Sequence, residues 1–374
     1  MVNLSGYRAD TYYVLLITTW ECSSRNSFFR MKKTMLMMIA SVCMATGVAC
    51  MSREAKEPAA QANVTRDTTP TDTAPAPELA APEPTHPKVT TETKWAEIVA
   101  MPEFKGFGQY ILARERVGYK PNMKLADVAT TLPFHRYVNA DQAADCINRM
   151  AEQVTSGKMS YHSIGQDVGL FFFRGRPGAP FAIISAGGGF YYVGSIHEGF
   201  PLAMALSEMG YNAFVLQYRT GGFQIACKDL ARGIDYVFKH AAELHVDTAD
   251  YSLWGASAGA EMAAALGSHG TRRYAPGIVR PRPATVILCY TEHADYTRRD
   301  PPTYAVVGAD DRVTKASAMR RRVANLKAAG IDAEVHVYPN LVHGFGMGIG
   351  TSAEGWHKGA VKFWEKYIKK EGVK

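Results

Sequence analysis

The chain has 374 residues, 47% of them hydrophobic and 21% charged, so it is long and apolar enough for one large or two medium globular units. Its formal charge of +7 is uneven: five basic and two acidic side chains over residues 1–50, four and seven over 51–92, and the whole excess of +7 on the rest. The arginines there fall in scattered groups (Arg272-Arg273, Arg298-Arg299, Arg320-Arg321-Arg322) without interleaved aromatics; they read as solvated faces, and no nucleic-acid partner is expected.

Taken in chain order, the first distinct signal is Met31-Lys32-Lys33-Thr34 followed by the apolar run Met35 to Ala49, the charged and hydrophobic regions of a secretory signal. Met31 then reads as the true start. The run is too short for a permanent bilayer span. It ends at Thr46-Gly47-Val48-Ala49-Cys50, which resembles a bacterial lipoprotein processing site, with Cys50 as the lipidated residue. A plain signal-peptidase cut nearby is the alternative. Either way the mature chain is expected to be exported, as a periplasmic or outer-membrane lipoprotein or as a secreted protein, touching membrane only through that anchor.

Residues 51–92 are rich in Ala, Pro, Thr and Glu and poor in large apolar side chains, so they cannot offset the entropy of ordering and read as a disordered tether. Globular composition begins near Trp95, which puts a single domain at 93–374. Three of the six cysteines (Cys146, Cys227, Cys289) fall in it, and an odd, widely spaced set excludes a disulfide scaffold or Cys-rich zinc site. Cys227 and Cys289 are expected to be small buried hydrophobes.

Within that domain, Asp141 to Gln153 has helical spacing, and Gly169 to Arg174 and Phe181 to Ser185 read as strands joined by Arg176-Pro177-Gly178. So tight a link predicts an antiparallel pair. The pattern then alternates: helix Ile196–Met209, strand Ala213–Tyr218, helix Ala226–Ala242, strand Tyr251–Trp254, and a helix after Ser257. Strands Thr285–Tyr290 and Tyr304–Val307, helix Lys315–Ala329, strand Ala333–Tyr338 and a last helix near Trp356–Ile368 complete it. Continuous apolar strands alternating with helices predict an α/β fold, a mostly parallel sheet covered on both faces.

Chemistry is concentrated at strand ends. Gly255-Ala256-Ser257-Ala258-Gly259 is a G-x-S-x-G elbow, whose small flanking residues let a strand and the next helix approach closely around a strained serine. A serine nucleophile needs a base and an orienting acid, and both follow at later strand ends. Gly308-Ala309-Asp310-Asp311 offers the acid, with Asp311 preferred and Asp310 the competitor. His343, in His343-Gly344-Phe345-Gly346, offers the base; His336 and His357 sit inside a strand and a helix. The loop after Phe181–Ser185 reads Ala186-Gly187-Gly188-Gly189-Phe190, glycines whose N–H groups can face a cavity and, with Ala258 N–H, bind an oxyanion. No Gly-Lys-Ser/Thr follows, which excludes a phosphate loop.

These four motifs together resemble the carboxylesterase branch of the α/β-hydrolases over residues 140–370, and more narrowly exported bacterial acetyl xylan esterase-like carbohydrate esterases. The order Ser257, Asp311, His343 is that of this superfamily. The resemblance implies an α/β-hydrolase fold with antiparallel N-terminal strands and a small or absent cap. It further implies Ser257 as nucleophile, His343 as base, Asp311 as its partner, an oxyanion hole of Gly187, Gly188 and Ala258, and no metal or organic cofactor. Related esterases often carry a histidine, which orders the glycine loop, where this chain has Ala186. The expected substrate is a small ester or an acetylated carbohydrate; Tyr191, Tyr192, Tyr218, Arg219, Trp254 and Tyr290 lie near enough in sequence to contact a sugar, though core packing is the default reading of any one aromatic. An exported peptidase of the same fold, or a lipid-anchored binding protein on an inactive scaffold, are the competing readings.

Overall fold

A computed structural model describes residues 87–113, 119–131 and 136–369. The leader, Cys50 and residues 51–86 of the tether lie outside the described residues. The described residues begin at 87, ahead of the expected boundary at 93. Val89 is buried, and Asn148 clasps its backbone, accepting from Val89 N–H (2.8 Å) and donating to its carbonyl (2.8 Å). Residues 87–92 are therefore attached to the domain.

The architecture follows the alternation in the sequence. Helix α1 (Ala140–Thr155) leads into strands β1 (Tyr161–Gly165), β2 (Val168–Phe173) and β3 (Pro180–Ser185). Helix α2 (Phe200–Glu208), β4 (Asn212–Gln217), α3 (Phe223–Lys239), β5 (Asp247–Ala256) and α4 (Ala258–His269) come next. The chain ends with β6 (Thr285–Cys289), β7 (Thr303–Gly308), α5 (Ala316–Ala328), β8 (Ala333–Tyr338) and α6 (Trp356–Glu365). The eight strands form one open sheet in the order β1-β2-β4-β3-β5-β6-β7-β8. Strand β2 is antiparallel to β1 and β4, and every other pairing is parallel.

This order corrects one expectation. Strands β2 and β3 are not paired, because β4 lies between them. The link 174–179 is long enough to step across one strand, two interstrand spacings of about 4.8 Å each. Asn212, the first residue of β4, fixes the crossing: it accepts from Gly175 N–H (3.1 Å) and donates to the carbonyls of Arg176 (3.2 Å) and Ala179 (3.0 Å). A turn signal reports a reversal of direction and leaves the partner open.

Strands β2 to β7 are buried almost throughout, as strands covered on both faces must be. Helix α4 packs on β5, β6 and β3, and α3 packs on α4; α2 packs on β4 and on α1, and α5 on β7 and β8. Helix α1 lays Ile147 and Met150 into the core and seats the segment containing Phe104 and Leu125, both fully buried. Cys146, Cys227 and Cys289 are buried free thiols. Among the described residues, no helix is long and apolar enough to cross a membrane, and no cluster of His, Cys, Asp and Glu is arranged to hold a metal.

Candidate active site

The site assembles at the carboxyl edge of the parallel strands, where ligands bind in open α/β sheets. Strand β5 ends at Ala256 and α4 starts at Ala258, so Ser257 alone makes the turn, at φ 50 and ψ −119. A non-glycine residue there carries on the order of 1–3 kcal/mol of backbone strain. Packing holds it: a Cβ on Gly255 would lie 2.2 Å from the Gly259 carbonyl oxygen, and one on Gly259 would lie 1.9 Å from that of Ser185. Ser257 N–H donates to the Cys289 carbonyl (2.9 Å), tying the elbow to the end of β6.

Strands β7 and β8 are parallel neighbours, so the loops leaving them are adjacent; the backbone of Gly308 lies against the Leu341 carbonyl. That placement delivers the acid and the base together. Asp311 Oδ2 lies 2.8 Å from His343 Nδ1, and His343 Nε2 lies 3.0 Å from Ser257 Oγ. With a carboxylate on Nδ1, the proton belongs there, and Nε2 is left to accept from the serine hydroxyl. The other carboxylate oxygen of Asp311 accepts from the N–H groups of Val313 (2.8 Å) and Thr314 (2.7 Å). Asp311 and His343 are buried, whereas Asp310 is exposed and only its N–H is engaged, by Leu341. The geometry thus separates the two aspartates that the sequence left open. His336 stacks on Tyr304, and His357 lies in α6, where burial lowers its pKa; neither approaches Ser257.

The glycine loop departs from expectation at one position. Gly187 N–H donates to Glu198 Oε2 at 2.7 Å, so this amide is spent inside the protein. Gly187 is thereby corrected from oxyanion donor to anchor point, which leaves Gly188 N–H and Ala258 N–H as the candidates. Ala258 opens α4, so its N–H has no acceptor within the helix. The loop is tied down despite alanine at 186: Tyr218 O–H donates to the Ala186 carbonyl (2.9 Å), and Gly194 N–H to that of Gly187 (2.9 Å).

Two functional candidates, His197 and Glu198, were not visible in the sequence as such, and Tyr290 takes a place different from the sugar contact considered for it. Residues Ser195–Gly199 form a single π-helical turn before α2, and they carry His197 and Glu198 inward, both buried. His197 Nε2–H donates to the Gly344 carbonyl at 2.7 Å, beside the base. Glu198 Oε1 accepts from Tyr290 O–H at 2.8 Å. Burial, and then the charge of Glu198, push the Tyr290 pKa well up, so its hydroxyl stays a donor. The Tyr290 ring meets His343 edge-on, with centroids 4.9 Å apart. The usable signal was a His-Glu pair interrupting an apolar helical stretch.

Of the aromatics near strand ends, Trp254, Tyr218 and Tyr290 are core residues, buried to within 1%. Tyr191 is 59% exposed and borders a cavity of about 340 Å³ beside the glycine loop, together with Tyr110, Asp167, Gln217 and Arg219. Arg219 is held by a bidentate pair with buried Asp229 (2.9 and 2.6 Å).

Comparison with known proteins agrees with this architecture. Residues 175–278 match the model of the BD-FAE family, and residues 249–369 match that of the dienelactone hydrolase family; the two spans overlap at the elbow. No curated protein matches the sequence. Similar solved structures include an α/β-hydrolase enzyme, MGS-M1, from a Medee basin deep-sea metagenome library (23% identity, 56% of this chain and 96% of that one, TM-score 0.48). Another is the thermophilic esterase Est2 of Thermogutta terrifontis (18%, 57% and 94%, 0.49). A third is an acetyl ester-xyloside bifunctional hydrolase of Caldicellulosiruptor lactoaceticus (22%, 54% and 89%, 0.48). The open, mostly parallel sheet and the two family-model matches are consistent with an α/β-hydrolase fold.

Proposed function

We propose that the chain is an exported serine esterase that removes short acyl groups, acetyl first among them, from carbohydrate hydroxyls. The observation that carries the serine mechanism is the continuous hydrogen-bonded path Asp311–His343–Ser257 at 2.8 and 3.0 Å. In the proposed reaction Ser257 Oγ attacks the ester carbonyl while His343 Nε2 takes the hydroxyl proton. Asp311 holds the imidazole and balances its charge, and the N–H groups of Gly188 and Ala258 receive the oxyanion. His343 then returns the proton to the departing alcohol oxygen. Water, activated by the same histidine, attacks the acyl-enzyme and frees the acid and Ser257.

The carbohydrate part of the proposal draws support from the resemblance of the motifs to carbohydrate esterases and from the cavity beside the glycine loop, which combines an exposed tyrosine with carboxylate, amide and guanidinium groups. Export draws support from the leader alone, with Cys50 as the proposed lipid attachment point.

Covalent labelling with a fluorophosphonate probe tests the mechanism. The wild type is expected to label and Ser257→Ala to remain unlabelled while folded; equal labelling of both would exclude Ser257 as nucleophile. Asp311→Asn is expected to lose about 10⁴-fold in kcat through the wrong histidine tautomer, with Asp310→Asn near wild type. Acetate release from acetylated xylan against short aryl esters tests the substrate, and metabolic labelling with palmitate in wild type and Cys50→Ala tests the anchor.

A further inference from the structure

We infer that Glu198 is a positioning residue, which fastens the oxyanion loop and the histidine loop to each other through Gly187 and Tyr290. The inference rests on the reading of Ser257 as nucleophile and adds a part to that machinery.

Each oxygen of the buried Glu198 carboxylate has one donor from a different wall of the site. Oε2 takes Gly187 N–H at 2.7 Å, from the loop after β3. Oε1 takes Tyr290 O–H at 2.8 Å, from the residue just after β6. Tyr290 continues the chain: its hydroxyl oxygen accepts Gly346 N–H at 3.2 Å, three residues past the base, and its ring packs against both His343 and Phe345. Its carbonyl accepts from Thr314 Oγ1 (3.1 Å), whose own N–H serves Asp311. Tyr290 sits at φ 41, a backbone cost that these attachments hold in place.

The carboxylate also lies against the reacting centre. A Cβ placed on Gly187 would meet Glu198 Oε2 at 2.6 Å and both Ala256 O and Ser257 Cβ at 2.9 Å. Loop, carboxylate and elbow are in mutual contact at this point. By capturing the Gly187 amide, Glu198 fixes the Ala186–Gly187 peptide plane; the next plane, which carries the Gly188 N–H, hinges on the Gly187 Cα so held and has its carbonyl taken by Gly194 N–H (2.9 Å), so the Gly188 N–H is aimed. Oxyanion donors act only if they are oriented before charge develops. A carboxylate buried with two neutral donors is expensive to maintain, and an apolar residue would fill the space more cheaply if packing were its only task.

An acting partner of this kind affects the transition state and leaves ground-state binding alone. Glu198→Gln can accept one of the two donors, so its kcat should fall about 10- to 100-fold with KM within twofold. Affinity for a trifluoromethyl ketone, which forms a hemiketal oxyanion on the serine, should fall by the same factor. Tyr290→Phe keeps the ring on His343 and removes only the hydroxyl, so it supplies the test independently of how well the first variant folds. Its kcat should drop in the same way, and the double variant should be no worse than Glu198→Gln alone, because the two side chains act as one unit. If either folded variant keeps wild-type kcat and ketone affinity, or if the two losses add, the inference is overturned. A loss confined to KM overturns it too. Ser257-dependent labelling, run on every variant, separates this failure from a failure of the esterase reading: the former leaves labelling dependent on Ser257, and the latter removes it from the wild type.

Discussion

The elbow at Ser257 and the loop at Gly187 both press small residues against the candidate site, yet they are held in different ways. The elbow is fixed by main chain: steric contact of Gly255 with Gly259 and of Gly259 with Ser185, and the Ser257 N–H bond to Cys289. The glycine loop has main-chain bonds of its own, from Gly194 N–H to Gly187 and from Tyr191 N–H to Gly188, and adds to them buried side chains from elsewhere, Glu198 and Tyr218, with Tyr290 behind them. A strained backbone can be trapped by close packing of main chain on main chain, because such contacts need no particular chemistry beyond small size. A loop of three glycines has no side chains of its own with which to restrict itself, so it must borrow them. In this chain tyrosine and glutamate supply that restraint.

Substitution at the two glycines should separate these mechanisms. Gly259→Ala should have the largest effect, because its Cβ would fall 1.9 Å from a backbone oxygen of the neighbouring strand, which has nowhere to move. A loss of about 3–5 kcal/mol by chemical denaturation is expected, with activity lost alongside. Gly187→Ala should cost less stability, about 1–3 kcal/mol, since its first contact is the end of a side chain. Its kcat should nonetheless fall steeply, because Glu198 would be displaced from the loop. Equal stability losses at the two positions would remove the distinction.

A further effect, confined to a pH window, concerns charge in the helix behind the elbow. Burial, and then the nearby Glu292, raise the carboxyl of Glu261 from its ordinary value near 4.5 to about 7. The folded state therefore keeps a proton that the unfolded chain releases, so stability is full below about pH 4.5 and declines as pH rises to about 7. The decline attributable to this group is on the order of 2 kcal/mol, after a discount for its partial exposure. Glu261→Gln should flatten the pH dependence of the unfolding midpoint over that window and raise stability at pH 8. An unchanged pH profile would show that α4 tolerates the charge as readily as the unfolded chain does.

Local chemistry was legible from the sequence wherever the responsible residues were neighbours. The elbow needs small residues two apart around a serine, and Asp311 and His343 each close a strand with a short turn, so motif and strand end could be read together. The α/β alternation was legible for the same reason: burial on both faces demands unbroken apolar runs. What failed depended on which strand lies beside which. The turn at Pro177 told of a reversal, but only the tertiary structure set β4 between β2 and β3, with Asn212 as the bridge. The choice of Asp311 over Asp310 required the two loops to be placed side by side, since one residue in a turn decides which carboxylate faces inward. Glu198 was beyond reach for the same physical reason: its meaning lies in Gly187, 11 residues away, and in Tyr290, 92 away, and hydrogen bonds at that separation are created only when the sheet is assembled.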